Sequence, residues 1–215
     1  MNEPSVSLLQ PAQLFTRAEI LTAPCPIPKS PGVYAWYFDE APGDVPIDGC
    51  HHALGHTLLY VGISPSAPPA NGKNPSSQTL WSRVRYHYRG NAYGSTLRFT
   101  LGCLLAERLG IKLRRVGSGM TMTFTNPGEQ SLDGWMAEHA KVVWVPAERP
   151  WELEAQLFRR LSLPLNIQDN RSHAFCVTLQ AVRRSAVEGA RALEIAERGG
   201  PRSRQPGLHR GHGVP

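Results

Sequence analysis

Three short apolar segments place the strongest constraint on how this chain folds. Residues 32–38 (GVYAWYF), 58–63 (LLYVGI) and 141–146 (KVVWVP) are rich in β-branched and aromatic residues, which is typical of strands. Segments with helical periodicity lie between the second and third of them and follow the third. This alternation predicts a compact α/β domain in which helices flank a small three-stranded antiparallel sheet.

Helices are predicted where apolar residues recur every three or four positions. The clearest helix covers residues 80–89 after the capping residue Thr79, with Leu80, Val84 and Tyr88 on one face. Further helices are predicted over residues 95–109, 132–139, 152–161 and 177–197. Around a domain at 30–170 we place an irregular lead-in at 1–29, a C-terminal helical extension at 171–198 and a disordered tail at 199–215.

Positive charge is concentrated in one part of the chain. Residues 80–115 carry eight basic residues and one acidic residue, whereas the whole chain has a formal net charge of +6. The same block holds Trp81, Tyr86, Tyr88 and Tyr93, and basic side chains interleaved with aromatic ones suit a phosphate backbone and its bases. A solvated helix face in a mildly basic protein is the alternative interpretation.

The sequence carries no sign of export or membrane insertion. Its first residues, Met1 to Pro4, lack the basic and apolar regions of a signal peptide, and no run approaches the roughly 18 apolar residues of a membrane span. The four cysteines are widely spaced and form no CxxC pair. We therefore expect a cytoplasmic protein with reduced thiols and no membrane partner.

Five short elements carry the candidate chemistry. The first two are Gly32-Val33-Tyr34 and Tyr60-Val61-Gly62. The third is a helix that carries Arg83 and His87, one turn apart. The fourth is Glu154, and the fifth is Asn166, twelve residues after it. With these residue types in this order, the chain resembles the GIY-YIG nuclease family across residues 31–170.

The resemblance implies a fold, a chemistry and a set of site residues. It implies the same small α/β architecture and a one-metal mechanism of phosphodiester hydrolysis. Tyr34 would take a proton from the attacking water, helped by Tyr60, and Arg83 would hold the scissile phosphate. Glu154 would bind magnesium, with manganese as the alternative ion. His87 matches a histidine that some members carry.

The chain also departs from the family pattern. The 25 residues between Tyr34 and Tyr60 are more than most members have, so the connecting hairpin carries an insertion. The loop over residues 64–78 is long as well. Ile63 stands where repair and restriction members often have lysine.

Residue spacing places Glu154 on the apolar face of its predicted helix. It shares one face of its predicted helix with Leu157, Phe158 and Leu161, whereas Glu152 lies on the polar side. A carboxylate at the margin of a buried face is costly unless a cation or a hydrogen-bond donor meets it. The residues alone therefore leave two roles open, a metal ligand or a buried partner of an arginine.

The other candidates also have structural interpretations. Tyr34 and Tyr60 could be ordinary core residues of strands, and Arg83 could form a salt bridge or a surface phosphate contact. For His87, proton transfer, phosphate binding and a structural role stay open. Asn166, which matches the asparagine that closes the family motif, either supports the hydroxyl or metal water or ties down the turn before it.

We therefore expect a magnesium-dependent endonuclease whose partner is nucleic acid, with DNA favoured over RNA. Its products would be a 5′-phosphate and a 3′-hydroxyl. The predicted nucleic-acid-binding residues of the basic block are Arg85, Arg89 and Arg98. The alternative is a non-catalytic nucleic-acid-binding module with the same fold, and magnesium-dependent turnover would separate the two.

Overall fold

The structure, a computed structural model, describes residues 3–68, 76–167, 170–171 and 173–199. The helices are α1 (Glu3–Leu9), α2 (Arg17–Leu21), α3 (Leu80–Arg89), α4 (Thr96–Leu104), α5 (Thr125–His139), α6 (Pro150–Phe158) and α7 (Cys176–Ala192). The strands are β1 (Gly32–Phe38), β2 (His52–Ala53), β3 (His56–Ser64), β4 (Arg114–Val116), β5 (Thr121–Thr123) and β6 (Ala140–Pro146). The predicted disordered tail, beyond Gly199, lies outside the described residues.

A four-stranded antiparallel sheet in the order β2-β3-β1-β6 forms the centre of the domain. The mixed α/β class and the three predicted strands are confirmed, and β2 is an addition to them. This two-residue strand pairs with the beginning of β3 and lies in the insertion between the two tyrosine elements. It is too short to produce an alternating pattern that a sequence could reveal.

Strand β1 is buried on both faces because helices cover the sheet on both sides. On one face Tyr34, Trp36 and Phe38 join a core with residues of α3, α4 and α5. On the other face Val33 and Tyr37 pack with residues of α1 and α6. The two cores fix β1 in place, so Tyr34 projects from a rigid central strand.

The five predicted helices are present, but some of their ends differ, and the lead-in at 1–29, expected to be irregular, contains α1 and α2. α3 begins after Thr79, whose side-chain oxygen accepts a hydrogen bond from the Ser82 backbone N–H at 3.3 Å. α7 ends at Ala192, before the predicted end at 197, and the chain then runs beside β4, where Ala196 forms a parallel bridge with Val116. Within the described ranges, no helix is both long and apolar enough to cross a membrane.

Arg98 lies in the protein interior. Its guanidinium forms salt bridges with Glu129 and Asp133, both at 2.7 Å, and its side chain is fully buried. Arg17 pairs with the same Asp133 at 3.2 Å, so the cluster connects α2, α4 and α5. The prediction that Arg98 binds nucleic acid is therefore wrong, because its charge is compensated inside the fold and does not reach the surface.

Candidate active site

Tyr34 and Tyr60 come together because β1 and β3 are neighbours in the sheet. Tyr34 lies opposite Gly62 and Tyr60 lies opposite Trp36, so both tyrosines point to the same face. A Cβ at Gly62 would lie 2.5 Å from the Tyr34 hydroxyl oxygen. Any side chain at position 62 would therefore displace Tyr34, and the glycine is required on steric grounds.

Helix α3 and the loop after it bring two more side chains to this face. His87 is fully buried, with Nε2 2.8 Å from the Tyr34 hydroxyl and Nδ1 2.7 Å from the Ser95 hydroxyl. Arg83 donates a hydrogen bond from Nη1 to the Gly94 carbonyl at 3.0 Å. The loop between α3 and α4 thus orients both residues, Arg83 through Gly94 and His87 through Ser95.

Electrostatics keep the His87 imidazole neutral at physiological pH. Burial lowers the pKa of His87 well below its usual value, and the positive charges of Arg83 and Arg98 lower it further. A neutral imidazole has one N–H group, so one ring nitrogen donates a hydrogen bond and the other accepts one. Of the two, Nε2 faces Tyr34 and Nδ1 faces Ser95.

Both tyrosine hydroxyls stay protonated at neutral pH. Burial raises the pKa of Tyr34; Arg83 opposes this effect without cancelling it, and Glu154 adds to it. Burial also raises the pKa of Tyr60. For Arg83, burial acts to lower the pKa, but Tyr34 and Tyr60 outweigh it, and the pKa is raised. The guanidinium therefore remains charged, and Nε2 of His87 lies within hydrogen-bond distance of the Tyr34 hydroxyl, at 2.8 Å.

Helix α6 places Glu154 in the site and turns Glu152 away from it. Glu154 is half-buried and lines the same cavity as Tyr34 and Arg83. Glu152 forms an ion pair with Arg149 at 2.8 Å on the exposed side of the helix. This placement agrees with the helical phase predicted from the sequence.

Asn166 fastens the chain after α6 to the outer edge of β3. Its Oδ1 accepts from the Val61 N–H at 2.9 Å, and its Nδ2 donates to the Val61 carbonyl at 2.7 Å. The next contact along this edge joins the Leu165 N–H to the Leu59 carbonyl at 3.2 Å. Both ends of the amide are thus engaged beside Tyr60, so Asn166 positions the strand that carries that tyrosine.

The predicted site residues share one open cavity of 850 Å³, a volume within the range of small-ligand sites. Tyr34, Tyr60, Arg83, Glu154 and Asn166 all line it, and His87 lies behind Tyr34. Among the other lining residues are Ile63, Thr96, Trp151, Phe158 and Arg159.

The donor set of the cavity suits a magnesium ion. Within the described part of the chain, no group of three His, Cys, Asp or Glu residues could hold a metal ion. Magnesium is often bound through one or two carboxylates and keeps several waters, and substrate phosphates supply further oxygens. Glu154 at the wall of an open cavity fits this pattern. The Asn166 amide is engaged with Val61 at both of its ends.

The sequence did not indicate some residues that shape the site. Ser95 accepts a hydrogen bond from the Arg98 N–H at 3.1 Å and so caps α4, a role that its position before a helical segment could have suggested. Its contact with His87 could not have been predicted, because it depends on how α3 and α4 pack. Trp151 and Arg159 reach the cavity from α6 and the residue that follows it.

Arg85 and Arg89 lie on another side of α3. The Arg85 guanidinium stacks 4.8 Å above the Trp81 ring and donates to the Ile20 carbonyl at 2.5 Å. Arg89 is exposed. Neither arginine is among the described residues that line the cavity, so their contact with nucleic acid stays a prediction.

Fold and site together define a class of protein. Two tyrosines, an arginine that stays charged and a glutamate meet in one cavity, an arrangement suited to hydrolytic chemistry at a phosphate group. A family model, the GIY-YIG catalytic domain, matches residues 32–185, which is well over half of the chain. The chain belongs to this family of nucleases, which confirms the resemblance seen in the sequence. Searches of curated proteins and of solved structures each gave no significant match.

Proposed function

We propose that this protein is a magnesium-dependent endonuclease that hydrolyses phosphodiester bonds, with DNA as its favoured substrate. The observation that supports this most directly is the cavity in which Tyr34, Tyr60, Arg83 and Glu154 meet. The charged guanidinium suits a phosphate, and the half-buried carboxylate suits a hard cation.

Arg83 would bind the scissile phosphate and offset the charge that the attack adds to it. The oxygen of the attacking water forms a bond to phosphorus while the bond from phosphorus to the 3′-oxygen breaks. The products are a 5′-phosphate and, after protonation from solvent, a 3′-hydroxyl. A magnesium or manganese ion held by Glu154 would stabilise the negative charge on the leaving oxygen.

Tyr34 and His87 would together accept the proton of the attacking water. Tyr34 takes that proton on its oxygen while its own hydroxyl proton passes to His87 Nε2, 2.8 Å away. This transfer avoids a free phenolate, which burial of Tyr34 disfavours. It forms an imidazolium, which burial of His87 also disfavours, and the negative charge that the attack adds to the phosphate would offset that cost. Neutral His87 is able to accept, and the Ser95 hydroxyl at 2.7 Å accepts from Nδ1–H in the imidazolium that forms.

Cleavage assays on a substrate panel test the proposal. Purified protein is incubated with linear, nicked, branched and single-stranded DNA and with RNA, in magnesium, in manganese and in EDTA. Cleavage that needs the metal supports the nuclease. Salt-sensitive binding without turnover under any condition would refute it in favour of the non-catalytic binding module.

A matched pair of glutamate variants tests the role of α6. Glu154→Gln should abolish cleavage and leave the fold and nucleic-acid binding nearly intact, because only the carboxylate charge is removed. Glu152→Gln should have little effect, because Glu152 pairs with Arg149 outside the cavity. Loss of activity in the Glu152 variant alone would contradict the assignment.

A further inference from the structure

A second cavity lies between α4 and α7 and adjoins the active-site cavity. Its volume is 420 Å³, and Thr96 and Ile167 line both cavities. We call it the α4–α7 groove, defined by Phe99 on α4 and by Gln180, Arg183, Arg184 and Arg191 on α7. A ligand that fills the active-site cavity can thus continue into the groove.

The α4–α7 groove is basic among the residues that the structure describes. Arg183, Arg184 and Arg191 share the lining with one acidic residue, Glu188. Within the described ranges, none of the three arginines forms an ion pair with a carboxylate. This differs from Arg98, whose charge is compensated by Glu129 and Asp133. An arginine that no carboxylate engages presents a planar fork of donors that matches a phosphate group.

Arg183 packs against helix α4 inside the groove. Its guanidinium carbon lies 4.6 Å from the centre of the Phe99 ring, and the side chain is half-buried there. Burial lowers the pKa of Arg183, while Cys103 and Tyr60 act in the opposite sense. Thr96 and Ile167 belong to the walls of both cavities, so the basic groove begins beside the active site.

The spacing of the exposed arginines suits a nucleic-acid strand. Arg184 and Arg191 are seven residues apart on α7, which corresponds to roughly 10 Å along the helix axis. One strand of duplex DNA advances about 3.4 Å per nucleotide, so the two side chains span roughly three nucleotides. We propose, on the basis of the nuclease function proposed above, that the α4–α7 groove binds the phosphate backbone of the substrate strand next to the scissile phosphate.

The experiment measures DNA affinity as a function of salt. A fluorescein-labelled DNA duplex is titrated in EDTA across a potassium chloride series with wild type and with the double variant Arg184→Ala/Arg191→Ala. Each lost phosphate contact should reduce the slope of log affinity against log salt by about 0.9, so the double variant should lose up to about 1.8. Both side chains are exposed, so the variant should fold.

The control for net charge is Arg108→Ala/Lys112→Ala, which removes the same number of exposed positive charges away from both cavities, although Arg108 pairs with Glu40. Its slope should stay as in wild type. An equal loss in both double variants would show a general effect of net charge and overturn the proposal. An unchanged slope in the α7 variant would also overturn it.

A separate measurement distinguishes failure of the groove from failure of the nuclease. Wild-type cleavage of the same duplex is followed in magnesium. If wild type cleaves the duplex and the α7 variant keeps the wild-type salt slope, the proposed role of the groove is overturned and the nuclease function stands. If wild type cleaves no substrate of the panel and the α7 variant has a reduced salt slope, the nuclease function is overturned and the groove remains a nucleic-acid binding site.

Discussion

Replacing Arg98 with methionine should destabilise the fold strongly. The Arg98 guanidinium donates to Glu129 Oε2 from Nε at 3.0 Å and from Nη2 at 2.7 Å, and to Asp133 Oδ1 from Nη1 at 2.7 Å. It also donates to the carbonyls of His87, Tyr88 and Glu129. Arg98→Met preserves much of the apolar volume but removes all of these donors.

The structure sets the size of the effect. Glu129 is only 1% exposed and would be left as a buried carboxylate without its cation, whereas Asp133 keeps Arg17 at 3.2 Å. Removing one partner of a buried ion pair costs about 3–5 kcal/mol. For a chain of this size, about 2–4 °C of Tm is lost per kcal/mol, so we expect Tm to fall by roughly 6–20 °C.

A second substitution distinguishes the cost of the unpaired Glu129 carboxylate from the cost of lost packing. Arg98→Met combined with Glu129→Gln removes the uncompensated carboxylate but leaves an oxygen that can accept from the Ala92 N–H, now bonded at 2.8 Å. We expect the double variant to recover at least about 1 kcal/mol relative to Arg98→Met alone.

Thermal and urea unfolding provide the assay, with Arg184→Met as the control. Arg184 is exposed, so this substitution should change stability by no more than about 0.5 kcal/mol. The reasoning would be refuted if Arg98→Met melted like wild type and reduced the salt dependence of DNA binding. That result would mean that Arg98 is a surface phosphate contact.

Three further predictions concern the base and its supports. Tyr34→Phe should slow single-turnover cleavage at least about a hundredfold, and Tyr60→Phe should slow it less. If Tyr34→Phe kept full activity and His87→Ala lost it, His87 would be the direct base. As pH falls below about 6.5, the unfolded chain protonates at His87 while the buried imidazole does not, so stability should fall by up to about 1.4 kcal/mol per pH unit. Urea unfolding of His87→Asn should lack that part of the slope, and equal slopes would contradict it. Ser95→Ala removes the cap of α4 and the Nδ1 partner of His87. It should therefore lower the free energy of unfolding in urea by about 1–3 kcal/mol and also slow cleavage. A loss of stability without slower cleavage would show that Ser95 has a structural role only.

The sequence by itself determined the features that depend on neighbours along the chain. Strand composition identified β1, β3 and β6, and the Thr79 cap with its apolar stripe identified α3. Helical phase separated Glu154 from Glu152, because residues three and four apart share a face of a helix. These signals need no knowledge of tertiary contacts. The family resemblance is also local information, because it rests on the residue types of five short elements and on their order along the chain.

Only the tertiary structure decided which charges are compensated and which hydroxyl meets which acceptor. Arg98 looked like part of a basic surface, but its carboxylate partners lie 31 and 35 residues further along the chain. Asn166 meets Val61 across 105 residues, and Tyr34 meets His87 across 53. A buried polar side chain forms its ion pairs and hydrogen bonds with the groups that tertiary packing places beside it. Sequence periodicity predicts only the face of a helix or strand on which that side chain lies, so it cannot identify those partners.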